Sequence, residues 1–189
     1  HHRLDCVCGS EGTQLVAHSY GENGSCVCGK RESVSMQEGI YYLTGKVNGV
    51  TYYFRKAGTG ESVSHTAPYS LCTTADKTAA TLVDVIQESS GYSLAYPYND
   101  SAARIYVYDI GTNGTVDTGV NTKNLAAYHH FQWDEENAYF YQMEGEIKYV
   151  LAFKELKNTN TGSNEIRVQA VAESEIRPIY KKRLLEFIK

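Results

Sequence analysis

The sequence predicts an all-β domain, because one strand-turn-strand pattern recurs three times along the middle of the chain. The first copy, residues 41–54, consists of two aromatic and β-branched runs that flank Asn48-Gly49. Asn-Gly readily adopts the positive φ angles of a type I′ turn, so this segment is expected to form a β-hairpin. The other two copies have the same pattern around different turns: residues 92–109 around 99–101, and residues 139–153 around Glu144-Gly145.

The three copies are spaced like repeated supersecondary units. With Gly49, Ser101 and Gly145 as equivalent turn positions, they lie roughly 52 and 44 residues apart, which is within the range of structural repeats. One more β-branched or aromatic strand is expected after each hairpin, at residues 81–86, 126–133 and 165–171. Three such units predict a β-trefoil-like barrel of three imperfect hairpin repeats over residues 40–175; a β-sandwich and an OB-like barrel are the alternatives.

Residues 1–37 differ from the rest of the chain, because they hold two Cys-x-Cys-Gly pairs in a glycine-rich segment with no apolar core. Such a segment needs a cross-link to be ordered. Four thiolates, or three with a histidine, would complete a tetrahedral structural zinc site like that of a zinc ribbon. Disulfides, for example Cys6 to Cys26 and Cys8 to Cys28, and a reduced linker are the alternatives. The candidate zinc ligands are Cys6, Cys8, His18, Cys26 and Cys28.

The segment from His18 to Gly29 carries a resemblance to known proteins. Its order of His, Asn23-Gly24 and Cys26-Val27-Cys28-Gly29 resembles the short Cys-x-x-Cys-Gly repeats that occur in tandem in large surface proteins of Gram-positive bacteria. This chain departs from that pattern by having one residue, instead of two, between the cysteines. The resemblance implies a modular parent protein that is secreted or bound to the cell surface.

A second resemblance covers the β-rich part of the chain. The segments 41–45, 92–94, 131–136 and 164–170 are similar to β-rich modules attached to large secreted enzymes and surface proteins of gut Gram-positive bacteria. The hairpin at 45–54 is also similar to one unit of the choline- or glucan-binding cell-wall repeats, although those work as arrays. The resemblance to the attached β-rich modules implies an accessory role beside other domains of a parent protein.

Composition narrows the classes of partner. The net charge is -4 and the pI is near 5.9. General binding to nucleic acid needs a basic face, so nucleic acid is not expected as a partner. No apolar run approaches the roughly 20 residues that span a bilayer, so no membrane span is expected. Residues 176–189 alternate apolar residues with lysine and arginine, which predicts a short basic amphipathic helix or a linker.

The aromatic residues suggest binding to carbohydrate. The chain has 16 tyrosines against 1 tryptophan and 5 phenylalanines, and tyrosine serves both half-buried strands and contact surfaces. A sugar site needs an aromatic platform beside carboxylate or amide groups. Two short groups have that chemistry: Gln132, Trp133 and Asp134, and Tyr96, Tyr98, Asn99 and Asp100. Ricin-like trefoils have a Gln-x-Trp motif, and here the spacer residue is missing.

No set of residues predicts catalysis. His129-His130 beside Asp134 forms the densest polar cluster, but adjacent residues on a strand point to opposite faces. Cys72, the fifth cysteine, has no catalytic signature around it and is expected to be a small buried side chain. We therefore expect a non-catalytic, carbohydrate-binding accessory module of a larger bacterial secreted or surface protein. The alternative is a structural or protein-protein adhesion module without a small ligand.

Overall fold

The computed structural model describes residues 2–3, 15–16, 32–58, 71–97, 104–110, 116–120, 130–158, 161–176 and 185–187. The chain divides into two compact units, residues 1–34 and 35–189. In the first unit, β1 (His2–Arg3) and β2 (Leu15–Val16) pair antiparallel. The cysteines and His18 of the predicted zinc element lie outside the described residues, so zinc binding there stays a prediction.

The second unit is built from strands that form two antiparallel sheets. The strands are β3 (Gly39–Val47), β4 (Val50–Phe54), β5 (Thr73–Thr74), β6 (Leu82–Glu88), β7 (Gly91–Pro97), β8 (Arg104–Ile110), β9 (Val116–Val120), β10 (Gln132–Asp134), β11 (Tyr139–Glu144), β12 (Ile147–Lys157), β13 (Asn164–Ala172) and β14 (Leu185–Phe187). The larger sheet has the order β5-β4-β3-β6-β7-β8-β9, with β14 added beside β3, and the smaller has the order β10-β11-β12-β13. The sheets curl into a half-barrel, which confirms the all-β prediction.

The strand pairs of all three predicted hairpins are confirmed, and the turn predicted at residues 99–101 lies outside the described residues. The pairs β3–β4, β7–β8 and β11–β12 are antiparallel, and the first closes through Asn48 and Gly49 at φ angles of 50° and 85°. The third turns at Gly145-Glu146, one residue later than expected, because Glu144 pairs with Ile147. The first two hairpins lie in the larger sheet and the third in the smaller one, so the threefold arrangement of a trefoil is not confirmed.

Two isolated bridges join the sheets through backbone hydrogen bonds. Leu71 and Val168 exchange bonds of 2.8 and 3.0 Å beside β5, and Tyr92 and Phe131 exchange bonds of 2.8 and 2.9 Å between β7 and the start of β10. A continuous path of paired strands therefore runs from β3 through β7, across to β10 and β13, and back through β5. Because each bridge joins residues far apart in sequence, this continuous path of strands depends on tertiary packing and not on local sequence.

The core is formed by buried residues of both sheets, among them Leu94 of the larger sheet and Val168 of the smaller one. Phe140 is completely buried and packs edge-to-face on Phe131 and Trp133, at centroid distances of 5.9 and 4.9 Å. Gly45 allows the ring of Phe153 to approach β3, since a Cβ at that position would lie 2.4 Å from the ring. Cys72 is buried at 2% exposure, as expected from the sequence.

The C-terminal tail corrects one prediction. Residues 176–189 were expected to form a helix, yet Leu185–Phe187 form strand β14, which pairs antiparallel with Leu43 to Tyr41 of β3. β4 pairs with β3 only from Thr44 onward, so the backbone N–H and C=O groups of residues 41–43 on that side are left for an added strand to satisfy. Before the tail, β13 ends in a 3₁₀ turn at Glu173–Glu175, and Ile176 packs on the core. Of the three strands predicted after the hairpins, those at 81–86 and 165–171 are confirmed by β6 and β13. Residues 126–129 of the third lie outside the described residues, and its end overlaps β10.

Candidate functional site

The predicted group at Gln132, Trp133 and Asp134 forms strand β10. The side chains of Gln132 and Asp134 share one face of the strand, and Trp133 occupies the other, where it packs on Phe140. The amide Nε2 of Gln132 donates to the backbone oxygen of Ser90 at 2.6 Å. The three side chains therefore lie close in sequence but do not converge on one ligand position.

Asp134 is the centre of a charged cluster on the smaller sheet. Its Oδ2 lies 2.5 Å from Lys148 Nζ, and its Oδ1 accepts from the backbone and side chain of Asn137 at 2.8 and 3.1 Å. Lys148 also contacts Glu173 at 3.2 Å, and the hydroxyl of Tyr139 donates to the same carboxylate oxygen. The Lys148 ammonium also lies 4.3 Å from the ring centre of Tyr141, on the same face of the smaller sheet. The lysine thus links two carboxylates that belong to different elements.

The pKa shifts of this cluster keep its charges fixed. Burial alone would raise the pKa of Asp134, but the hydrogen bonds from Lys148 and Asn137 bring it below 3.8. The hydrogen bond from Tyr139 lowers the pKa of Glu173, and burial together with Glu173 raises the pKa of Tyr139. Burial would lower the pKa of Lys148, but its two carboxylate partners raise it above 10.5. None of these four groups titrates near neutral pH, so the cluster suits stabilisation better than proton transfer.

The second predicted group is divided between the core and residues outside the described part. Tyr96 is only 5% exposed, and its ring packs edge-to-face on Phe54 at 4.9 Å. Burial raises the pKa of Tyr96 to about 12, against the hydrogen bond with Thr118. Its ring belongs to the core. Tyr98, Asn99 and Asp100 lie outside the described residues, and their role stays a prediction.

The described part of the chain contains no group of three or more His, Cys, Asp or Glu side chains placed to hold a metal ion. His130, which the sequence singled out, hydrogen-bonds through Nδ1 to the Ser90 hydroxyl at 2.7 Å. Together with the Gln132 contact, this bond ties the β6–β7 turn to β10. His129 lies outside the described residues.

The tyrosines whose side chains the structure describes separate into those that build the core and those that face away from it. Tyr41, Tyr96 and Tyr139 are buried, and Tyr52, Tyr92, Tyr141 and Tyr149 are half-buried against the core. Tyr42, Tyr53 and Tyr106 are also half-buried, but their strand neighbours Tyr41, Phe54 and Val107 occupy the core face. Since side chains alternate along a strand, these three rings lie on the outer face of the larger sheet.

Two of these outer rings, Tyr42 and Tyr53, form a pair. We call this pair, together with Lys77 and Thr74 beside it, the tyrosine surface. The rings of Tyr42 and Tyr53 meet edge-to-face at 5.8 Å and 76°. Lys77 Nζ lies 4.8 Å from the centre of the Tyr42 ring, and Thr74 is the register partner of Tyr53 on β5. Asp76 caps the 3₁₀ turn that carries Lys77 by accepting from the Thr78 backbone at 2.9 Å. Two aromatic rings and an ammonium therefore lie together on the outer face, beside the strand position of Thr74.

The sequence held a signal for this surface that our prediction did not use. The first hairpin contains the doublets Tyr41-Tyr42 and Tyr52-Tyr53. A tyrosine doublet within a strand must place one ring on each face of the sheet, because the side-chain period is two. When one face is the core, the other ring is left on the outer face. The pairing of β3 with β4 then brings Tyr42 and Tyr53 together.

No helix of the described residues has the length and apolar character needed to cross a bilayer. The comparisons with known proteins return no match to any family model, curated protein or solved structure.

Proposed function

We propose that this chain is a non-catalytic carbohydrate-binding accessory module and that it binds glycans through the tyrosine surface. The observation that carries the proposal is the edge-to-face pair of Tyr42 and Tyr53 on the outer face of the sheet, with Lys77 beside it. Buried core packing does not require two large amphipathic rings at outward positions. A contact surface for an amphipathic ligand does.

The chemistry of a pyranose suits these groups. Its C–H face packs on an aromatic ring, and its hydroxyl rim needs hydrogen-bonding partners at the edge of that ring. Lys77 Nζ lies over the Tyr42 ring, and an exposed cation–π contact contributes about 0.5–1 kcal/mol, which a sugar ring stacked on Tyr42 would have to replace. The displaced ammonium would remain at the rim, where it can donate to sugar hydroxyls. Thr74 supplies a hydroxyl on the other side of Tyr53.

The experiment is a glycan-array screen of the full chain followed by calorimetry on the best ligand, with Tyr42→Ala and Tyr53→Ala variants. Each variant is expected to lose about tenfold in affinity, which corresponds to about 1.4 kcal/mol of stacking and burial. Tyr106→Ala is the matched control, because Tyr106 is a half-buried outer tyrosine on β8, with β6 and β7 between it and β3. Circular dichroism would verify the fold of each variant.

Two results would count against the proposal: no binding to any glycan, or an equal loss in the Tyr106→Ala control. The alternative is a protein-binding adhesion module, which the exposed Ile40 and Leu82 on the same face favour. A chain that folds normally but binds no glycan would support the adhesion module instead.

In either case we propose, on the resemblances above, that the parent protein is secreted or surface-bound and carries other domains. A structural zinc ion in residues 1–37 is part of the same proposal.

A further inference from the structure

Two exposed aliphatic residues lie beside the tyrosine surface. Ile40 is 53% and Leu82 is 39% exposed, although both stand within paired strands of the larger sheet. The other large apolar residues that are exposed in the described part are Val50, Met143 and Ile147, and these lie next to hairpin turns, where exposure follows from position. Ile40 and Leu82 lie instead near the starts of β3 and β6, on neighbouring strands beside the tyrosine surface.

The strand register places these two residues in a compact block with two others. Tyr42 of β3 is opposite Leu82 of β6, and Ile40 is opposite Asp84. Directly opposed side chains on antiparallel strands have Cβ atoms about 5 Å apart, and positions i and i+2 of one strand are about 7 Å apart. The four side chains consequently form a block of about 5 by 7 Å that begins at the ring of Tyr42 and ends at the carboxylate of Asp84.

We infer that the tyrosine surface recognises sugars that carry an acetamido group, an inference that rests on the proposed function. With the pyranose on Tyr42, the methyl of the acetamido group packs on Leu82 and Ile40, and its N–H donates to Asp84. Asp84 also pairs with Arg104 at 3.3 Å, but a carboxylate can accept several hydrogen bonds. A methyl group beside an N–H donor thus meets two aliphatic side chains beside a carboxylate.

A sugar bearing only hydroxyl groups fits this block less well. Leucine and isoleucine offer no hydrogen-bond partner, so a hydroxyl pressed against them loses its water without compensation. A 6-deoxy sugar would supply the methyl but no N–H donor for Asp84. The acetamido group is the common sugar substituent that matches both halves of the block.

The test is to measure binding of the full chain to sugar pairs that differ only in the acetamido group: N-acetylglucosamine against glucose and N-acetylgalactosamine against galactose, as matched oligosaccharides, with a fucosylated oligosaccharide as a third arm. At least one acetamido sugar is expected to bind about fourfold or more tightly than its partner, the value of one buried methyl group. Leu82→Asn should abolish that preference, because the amide removes the apolar contact for the acetamido methyl and offers a hydrogen-bond partner to a hydroxyl. Ile147→Asn, at an exposed hairpin position, should leave the preference intact.

Equal binding within each pair, or preference for the fucosylated sugar, would overturn this inference and leave the proposed function standing. A preference that survives Leu82→Asn would overturn it as well, because another surface would then read the acetamido group. Absence of binding to every sugar, including those of the full array, would overturn both proposals together.

Discussion

A Gly91→Ala variant is expected to lose about 3–5 kcal/mol of unfolding free energy. Gly91 has a φ of +146°, and an added Cβ would lie 2.3 Å from the carbonyl oxygen of Phe131 and 2.8 Å from Gln132 Nε2. The first obstacle is backbone that already bonds to Tyr92 in the bridge between the sheets. Backbone strain of about 1–3 kcal/mol and overpacking of similar size would therefore act together.

The measurement is urea unfolding followed by circular dichroism, with Gly145→Ala as the matched control. Gly145 also has a positive φ, +58°, but nothing lies within 4 Å of its added Cβ. The control should lose only about 1 kcal/mol, the cost of a left-handed alanine. Similar losses of unfolding free energy in the two variants would show that the close approach of Gly91 to Phe131 adds nothing to the cost of the substitution.

A Lys148→Met variant is expected to lose about 2 kcal/mol at neutral pH. The substitution leaves the carboxylates of Asp134 and Glu173 without their shared cation, and the Asp134 side chain is only 15% exposed. Removing one partner of a fully buried pair costs about 3–5 kcal/mol, and partial solvent access at Glu173 reduces that figure. Lys154→Met is the control, since Lys154 and Glu175 are both more than half exposed, 3.7 Å apart, and should contribute almost nothing.

The pH dependence gives this prediction a second readout. The pKa values of Asp134 and Glu173 are lowered on folding, so their stabilisation is present above the ordinary values of 3.8 and 4.5 and is lost as the pH falls further. The pKa of Lys148 is raised, so its stabilisation is present below 10.5 and is lost at higher pH. The difference between wild type and Lys148→Met should be constant from about pH 5 to pH 10 and shrink on both sides. A difference that does not change at low pH would show that Lys148 acts through packing alone.

These stability variants also separate the fold from the proposed binding surface. Gly91 and Lys148 lie at the bridge and on the smaller sheet, whereas the tyrosine surface lies on the outer face of the larger sheet. A Lys148→Met chain that still folds should therefore bind the same glycans with unchanged affinity. Loss of binding in that variant would place the ligand on the smaller sheet, near Lys148 and Asp134.

The sequence by itself determined the local elements. Asn48-Gly49 requires positive φ angles, and the aromatic runs beside it alternate between two faces, so the first hairpin could be predicted from adjacent residues alone. The strands at β6 and β13 were likewise predictable from β-branched composition. Even the outward position of one ring in each tyrosine doublet follows from the period of two.

Only the tertiary structure decided which of these elements meet and which side chains remain for a ligand. Gln132 binds Ser90 and Tyr96 packs on Phe54, both across 42 residues of chain, and Asp134 binds Lys148 two strands away in the smaller sheet. Residues 185–187 of the tail join β3 as a strand, although the order of apolar and basic residues in the tail fits an amphipathic helix. Pairing with a strand distant in sequence outweighs a weak local preference. Local chemistry fixes turns and side-chain alternation, whereas burial and hydrogen-bond partners depend on contacts that no neighbouring residue specifies.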